Sequence, residues 1–332
     1  MEDLGRLNLV GQSPAFVRCV DLIRRYAACD ATVLIHGETG TGKELAARGI
    51  HYLGPRRDFP FIPVNCGAIP DSLVENELFG HSKGAYTDAR DSRAGVIADA
   101  EGGTLFLDEV ETLTPRAQVS LLRFLQDQHY RPLGGKQILV ANVRVIAASN
   151  ENLPDRTRHG HFRQDLLFRL NIMGLEMAPL RERRADVVAL ANHFLRRFGL
   201  QYGRPEKYFS RESLALLGRY NWPGNVRELE NLVHREFLLA RTDEIEIDPS
   251  GLDGSHLGPG DGALALNGHD CFRAAKAKAI AEFERTYLAQ LLAEAHGNVS
   301  LAARRCGKER RSLGKLLKKY GIDKSRYERE DA

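Results

Sequence analysis

Up to about residue 248, short continuous runs of branched and aromatic apolar residues alternate with longer stretches whose apolar positions recur every three to four residues. The short runs lie at 32–36, 61–65, 104–107, 143–148 and 174–177, and each reads as a strand buried on both faces. Strands alternating with helices predict an α/β fold built on a mostly parallel sheet, covered by helices on both sides. From about 181 to 241 the strand signal stops, and helices are predicted near 185–199, 210–219 and 225–240, forming a small all-α subdomain. Residues 249–269, PSGLDGSHLGPGDGALALNGH, are dense in glycine and without periodicity, which predicts a flexible linker. A long helix is expected over 274–295, with Ile280, Phe283, Tyr287, Leu288, Leu291 and Leu292 on one face. Two short helices split by Gly307 follow. The predicted organisation is an α/β core over 8–175, a helical subdomain over 176–248, a linker over 249–270 and a small all-α domain over 271–332.

Composition narrows the class. The 332 residues suit two or three domains, and 43% hydrophobic with 27% charged residues is the balance of a globular chain. The formal net charge of +3 conceals a division: residues 1–270 carry a net of −4 and residues 271–332 a net of +7. Only the tail has the excess that meets phosphate. No apolar run reaches the ~18 residues of a membrane span, and the acidic start at Glu2 and Asp3 does not read as a signal peptide. The five cysteines are scattered, with no C-x-x-C pair. Neither a disulfide framework nor a zinc site is expected, and a reducing cytoplasm fits best.

Two motifs carry chemistry. Gly37, Glu38, Thr39, Gly40, Thr41, Gly42, Lys43 and Glu44 fit G-x-x-x-x-G-K between a strand and a helix. The glycines let backbone N–H groups wrap a phosphate, and Lys43 reaches the outer phosphates of ATP. Glu44 stands where the general pattern has a hydroxyl ligand for magnesium. The strand ending in Asp108 and Glu109 supplies the second element. Asp108 suits holding Mg2+ through water, and Glu109 suits orienting or deprotonating the attacking water. The pair points to hydrolysis beyond binding.

The segments GETGTGKE, NCGAI, ELFGHSKGAYTDA, EGGTLFLDE, FRQDLLFRL, PLRER and WPGNVRELENLV occur in this order over about residues 8–248. Together they resemble the AAA+ ATPase activators of bacterial sigma-54 RNA polymerase, the enhancer-binding proteins. The resemblance implies an AAA+ core, a helical lid, ATP hydrolysis in the cytoplasm and assembly from dimer to hexameric ring. It implies that Asn65 is a switch holding or releasing Glu109, and that Ser149 and Asn150 form the first nucleotide sensor. Arg163 and Arg169 match arginine fingers supplied to a neighbouring subunit. Arg227 matches the second sensor, in the first turn of a helix that Pro223 is placed to start. Trp222, the single tryptophan, is expected to pack in the lid core.

The loop Gly84, Ala85, Tyr86, Thr87, Asp88 and Ala89 stands where this family contacts the polymerase through GAFTGA. Asp88 replaces a glycine, and Ser82 and Ala98 replace glutamates that the family uses to relay nucleotide state. ATP hydrolysis is therefore expected to persist while sigma-54 coupling is weakened or lost. The tail resembles the family's Fis-type DNA-binding domain and reads as helix-turn-helix with Asn298 as an N-cap. Residues 304–319 hold eight basic side chains and one acid. Arg310, Arg311 and Ser312 are expected to read base edges, and Lys315, Lys318 and Lys319 to contact phosphates. Dimerisation through 274–295 would present two recognition helices to upstream DNA. Two alternatives stand beside the sigma-54 reading: a diverged regulator acting with another sigma factor or as a repressor, and another AAA+ remodeller or helicase. With no receiver or sensing domain before residue 8, control is expected from a separate protein, or the chain is a piece of a longer one.

Overall fold

The computed structural model describes residues 8–85, 91–205, 207–248, 288, 291–292, 295, 298–306 and 310–319. Two compact units divide the chain, Met1–Gly258 and Pro259–Ala332. In the first, Ser13 and Pro14 start helix α1 (Pro14–Ala27), where the Ser13 hydroxyl accepts from the Phe16 amide at 3.2 Å. The buried residues Phe16, Cys19, Val20, Ile23 and Ala27 follow the helical repeat. Strand β1 (Val33–His36), helix α2 (Lys43–Tyr52), strand β2 (Phe61–Asn65) and the short helices α3 (Val74–Phe79) and α4 (Val96–Asp99) come next. Strand β3 (Thr104–Asp108) leads to helix α5 (Pro115–Asp127), capped by Thr114. Strands β4 (His129–Tyr130) and β5 (Leu139–Val140) form an antiparallel hairpin. Strand β6 (Arg144–Ser149), helices α6 (Leu153–Arg158) and α7 (Gln164–Leu170) and strand β7 (Met173–Glu176) complete the core.

The five long strands form one parallel sheet in the order β2-β3-β6-β1-β7. Each strand sends successive side chains to opposite faces. Leu105, Leu107, Val145 and Ala147 enter the apolar layer under α3–α7, while Phe106, Ile146 and Ala148 enter the layer under α1 and α2. Both faces are covered, which explains why the strands read as continuous apolar runs. The predicted strand at 174–177 lies one residue earlier, at Met173–Glu176.

The lid is made of α8 (Ala185–Tyr202), strand β8 (Tyr208–Phe209), α9 (Arg211–Arg219), α10 (Asn225–Leu239) and strand β9 (Glu244–Ile245). Gly203, at φ +59°, ends α8 three residues beyond the predicted 199. Trp222 is fully buried in the lid core, and its Nε1 donates to the Leu217 carbonyl at 3.0 Å. Lys207 is buried and donates to the Phe237 and Ala240 carbonyls, closing the C-terminal end of α10.

Core and lid are joined by a buried carboxylate. Asp186, in the first turn of α8, accepts from the Gln12 and Ser13 amides and the Ser13 hydroxyl, each at 2.7 Å. It holds the N-terminus of α1 from 173 residues away. Asp186→Ala leaves three donors unmatched in a buried site and is expected to destabilise the unit by about 3 kcal/mol. A fall in the urea midpoint followed by Trp222 fluorescence checks this; an unchanged midpoint refutes it.

In the second unit, Asn298 Oδ1 accepts from the Ser300 and Leu301 amides and caps α11 (Val299–Arg305). Helix α12 (Arg310–Lys319) follows. Leu288, Leu291, Leu292 and Ala295 pack with Ala302, Ala303, Leu313 and Leu317 in one apolar cluster. Those leucines of the predicted stripe are thus used within the domain. The remainder of that stripe, the linker at 249–270 and Gly307 lie outside the described residues.

Candidate nucleotide-hydrolysis site

The parallel registers bring the sheet's carboxyl edge to one level. His36 pairs with Ser149, and Asn65 pairs with Asp108. The glycine loop leaves β1, Asn150 leaves β6 and Glu109 leaves β3, so their side chains meet over three adjacent strands. A cleft of about 240 Å³ forms there, lined by Thr39, Gly40, Gly42, Lys43, Glu44, Asn65, Asp108, Glu109, Asn150 and Arg227 among others. This is the position where open parallel sheets take ligands.

Gly42 sits at φ +100° and Gly40 at φ +79°, in the left-handed region that glycine tolerates. A Cβ on Gly42 would meet only the Met177 methyl at 3.9 Å, so the loop keeps open space beside it. Lys43 is buried and donates to the Gly37 carbonyl at 2.8 Å, the Glu38 carbonyl at 3.1 Å and Asn150 Oδ1. Burial draws its ammonium below the usual lysine range; the carboxylates of Asp108, Glu111 and Glu109 oppose this, and Arg227 adds to it. Burial likewise raises the Asp108 carboxyl above its usual range, against the pull of Lys43. A half-buried carboxylate raised in this way suits a divalent cation, which would restore the charged form. Glu44 is exposed and bonds Arg48 at 2.7 Å, leaving the cleft without a hydroxyl at that position.

Glu109 adopts φ +56°, an uncommon backbone for a non-glycine residue, at the start of the 3-10 turn Val110–Thr112. Its Oε1 accepts from Asn150 Nδ2 at 3.3 Å. Asn65 instead accepts from the Ala68 amide at 3.1 Å and makes no hydrogen bond to Glu109. Glu109 Oε2 lies 2.4 Å from where a Cβ on Gly67 would stand, so the NCGAI glycine leaves room for the carboxylate. Asn150 thus links Lys43 to Glu109, and its backbone N–H donates to buried Glu111 at 3.0 Å. Cys66, behind these acids, is pushed up to about 12 by burial first and then by Asp108, Glu111 and Glu109, so it is no nucleophile.

The lid closes one wall. Helix α10 begins at Asn225 with Gly224 at the cap, so Pro223 precedes the helix by two residues rather than starting it. Arg227 still falls in the first turn and lines the cleft. Glu38 bonds Arg181 at 2.6 and 2.8 Å, and Arg183 donates to the Thr41 carbonyl at 3.1 Å. Glu111, Arg181, Arg183 and Asn225 carry no role in the sequence reading, although PLRER and WPGNVRE contain three of them.

Arg163 and Arg169 do not line this cleft. Arg163 is exposed and paired with Asp165 at 2.7 Å, while exposed Arg169 has no ion pair among the described residues. Beside it Phe168 is 68% exposed. At the predicted polymerase loop, His81 bridges Arg93 on one side and Leu133 on the other, and a Cβ on Gly134 would lie 2.8 Å from Ala85. The loop base is therefore stitched by main chain to the segment carrying β4 and β5. Ala98 packs partly buried against the core, and no carboxylate stands at 82 or 98. Tyr86, Thr87, Asp88 and Ala89 lie outside the described residues. In α12, Arg310, Ser312 and Lys319 are exposed, while Leu313 and Leu317 are buried. The side chains of Arg311, Lys315 and Lys318 lie outside the described set.

Three family descriptions match the chain: a sigma-54 interaction domain over residues 9–176, an AAA+ ATPase lid domain over 181–252 and a bacterial regulatory protein of the Fis family over 279–320. The chain is 42% identical to the phenol regulator MopR of Acinetobacter guillouiae, over 96% of this chain and 57% of MopR. It is 41% identical to the response regulator protein PilR of Pseudomonas aeruginosa, over 95% of this chain and 70% of PilR. Among solved structures, NtrX from Brucella abortus in complex with ATP superimposes with a TM-score of 0.68 at 33% identity, over 94% of this chain and 69% of NtrX. The chain thus spans little more than half of MopR and about two thirds of the others. Its parallel-sheet nucleotide core, helical lid and Fis-type tail place it in the sigma-54 activator family of AAA+ transcriptional regulators.

Proposed function

We propose that this chain is a cytoplasmic bacterial transcription regulator that binds DNA through α12, hydrolyses ATP and remodels sigma-54 RNA polymerase. The observation that carries the catalytic part is the convergence of Lys43, Asp108, Glu109, Asn150 and Arg227 on one cleft. ATP and water become ADP and phosphate. Lys43 transfers its hydrogen bonds from the Gly37 and Glu38 carbonyls to the outer phosphates. Glu109 orients the attacking water and accepts its proton. Asp108 would hold Mg2+, which would supply positive charge at the phosphoryl oxygens. Arg163 and Arg169 of a neighbouring copy meet the remaining transition-state charge, so turnover belongs to the assembled ring. Arg310, Arg311 and Ser312 contact bases, and Lys315, Lys318 and Lys319 contact phosphates.

A second reading has its own support. Asp88 in the loop, with Ser82 and Ala98 lacking carboxylates, favours a regulator that hydrolyses ATP without engaging sigma-54. No helix among the described residues is long and apolar enough to cross a membrane. Transcription from a bound promoter, reconstituted in parallel with sigma-54 and with the housekeeping sigma factor, separates the readings. ATP-dependent activation confined to the sigma-54 reaction and lost in Lys43→Ala supports the first. Activation or repression confined to the housekeeping reaction supports the second.

A further inference from the structure

Helix α10 opens on a residue whose conformation and bonding are both unusual. Asn225 is fully buried and adopts φ +54°. All of its amide's main bonding directions are used. Oδ1 accepts from the Leu180 backbone N–H at 2.8 Å. Nδ2 donates to the Thr39 carbonyl at 3.0 Å and to Glu38 Oε2 at 3.2 Å. One face of the amide meets only a donor and the other only acceptors, which fixes its orientation. The next residue continues the attachment, because the Val226 N–H donates to the Gly40 carbonyl at 3.0 Å. The phosphate loop is therefore bonded directly to the first turn of α10, and Arg227 is the next residue along.

The chemistry of this position excludes its neighbours in size. Aspartate would turn a carboxylate toward the Thr39 carbonyl and the Glu38 carboxylate, where Nδ2 now donates. Alanine or leucine would leave the Leu180 donor and the Thr39 acceptor without partners in a buried place, and would meet strain at a positive φ. Asparagine satisfies both the backbone and the bonds. The Glu38–Arg181 pair, about 40% exposed on each side, is a weak tie by itself. The buried amide is the stronger fastening.

We infer that Asn225 is a positioning residue for nucleotide: it fixes the glycine loop to α10 and so sets the spacing between Lys43 and Arg227 that a bound polyphosphate spans. Its effect on substrate passes through Arg227. This inference rests on the ATPase reading.

The full chain, assayed at concentrations that support turnover, gives the test. Asn225→Asp is expected to raise the KM for ATP at least fivefold. Adding Glu38→Gln recovers part of that loss, because the glutamine amide can donate to the new carboxylate. Glu38→Gln alone, itself a substitution in the phosphate loop, is the reference against which that recovery is read. Asn225→Gly accepts φ +54° without strain but lacks the amide, and it gives the same KM increase if folding of the aspartate variant is impaired. In an Arg227→Ala background, Asn225→Gly has no further effect on KM beyond twofold, since the two act as one unit. A merely structural role lowers the active fraction and kcat but leaves KM unchanged. Unchanged KM in folded Asn225→Gly, or an increase of equal size with and without Arg227, overturns the inference while the ATPase reading stands. Absence of turnover in the unsubstituted chain removes the ATPase reading and this inference with it.

Discussion

Glu109→Gln is expected to reduce ATP turnover by roughly 10²- to 10⁴-fold while leaving nucleotide affinity within about threefold. The substitution is nearly isosteric. Glutamine keeps an oxygen to accept from Asn150 Nδ2, where Glu109 Oε1 accepts at 3.3 Å. The space beside Gly67 still holds the side chain. What is lost is the carboxylate proposed to orient and deprotonate water. Lys43, proposed to grip the phosphates, is untouched. Phosphate release at saturating ATP, with the dissociation constant of a fluorescent ATP analogue, separates the two effects. A variant retaining more than a tenth of the original turnover would show that Glu109 is not the catalytic base.

Arg169→Ala is expected to abolish turnover to a similar or greater extent, on the order of 10³-fold or more. The reason is different. Arg169 lies outside its own chain's cleft and has no ion pair among the described residues. Its charge is free to serve a neighbour, and Phe168 offers apolar contact area next to it. Mixing makes the distinction. Lys43→Ala chains lack the proposed phosphate grip but carry the proposed finger; Arg169→Ala chains have the reverse. Each alone is expected to be inactive, and a mixture recovers a measurable fraction through sites formed between unlike chains. If Arg169→Ala retains turnover, or the mixture stays inactive while assembling normally, the finger role is wrong.

The elements that sequence pattern revealed are those whose information is local. A continuous apolar run marks a buried strand because both of its faces are covered, and G-x-x-x-x-G-K marks a phosphate loop because each glycine is needed where it stands. The placement of Glu109 at the end of β3 followed from the same rule. Other features have no local signature. Strands of two residues, such as β4 and β5, are too short to show a period. Asp186 and Asn225 act across 173 and 187 residues, so their partners are defined only when the chain has folded. Pro223 pointed to the helix start, yet the left-handed turn at Trp222 and Asn225 moved that start to Asn225. The proposed switch at Asn65 is a question of state. Here Asn150 holds Glu109, and Asn65 is bonded to the turn that follows it.

The approach of the two glycines, Gly40 and Gly224, has a consequence for inheritance. A Cβ on Gly40 would stand 2.3 Å from the Gly224 carbonyl oxygen, and the two backbones are joined through the Val226 amide. A side chain added at Gly40 would therefore displace the start of α10. A gene exchange that takes the phosphate loop from one ancestor and the start of α10 from another must find both already matched. The lid and core are therefore expected to descend together as one heritable block, whereas the tail belongs to a separate compact unit.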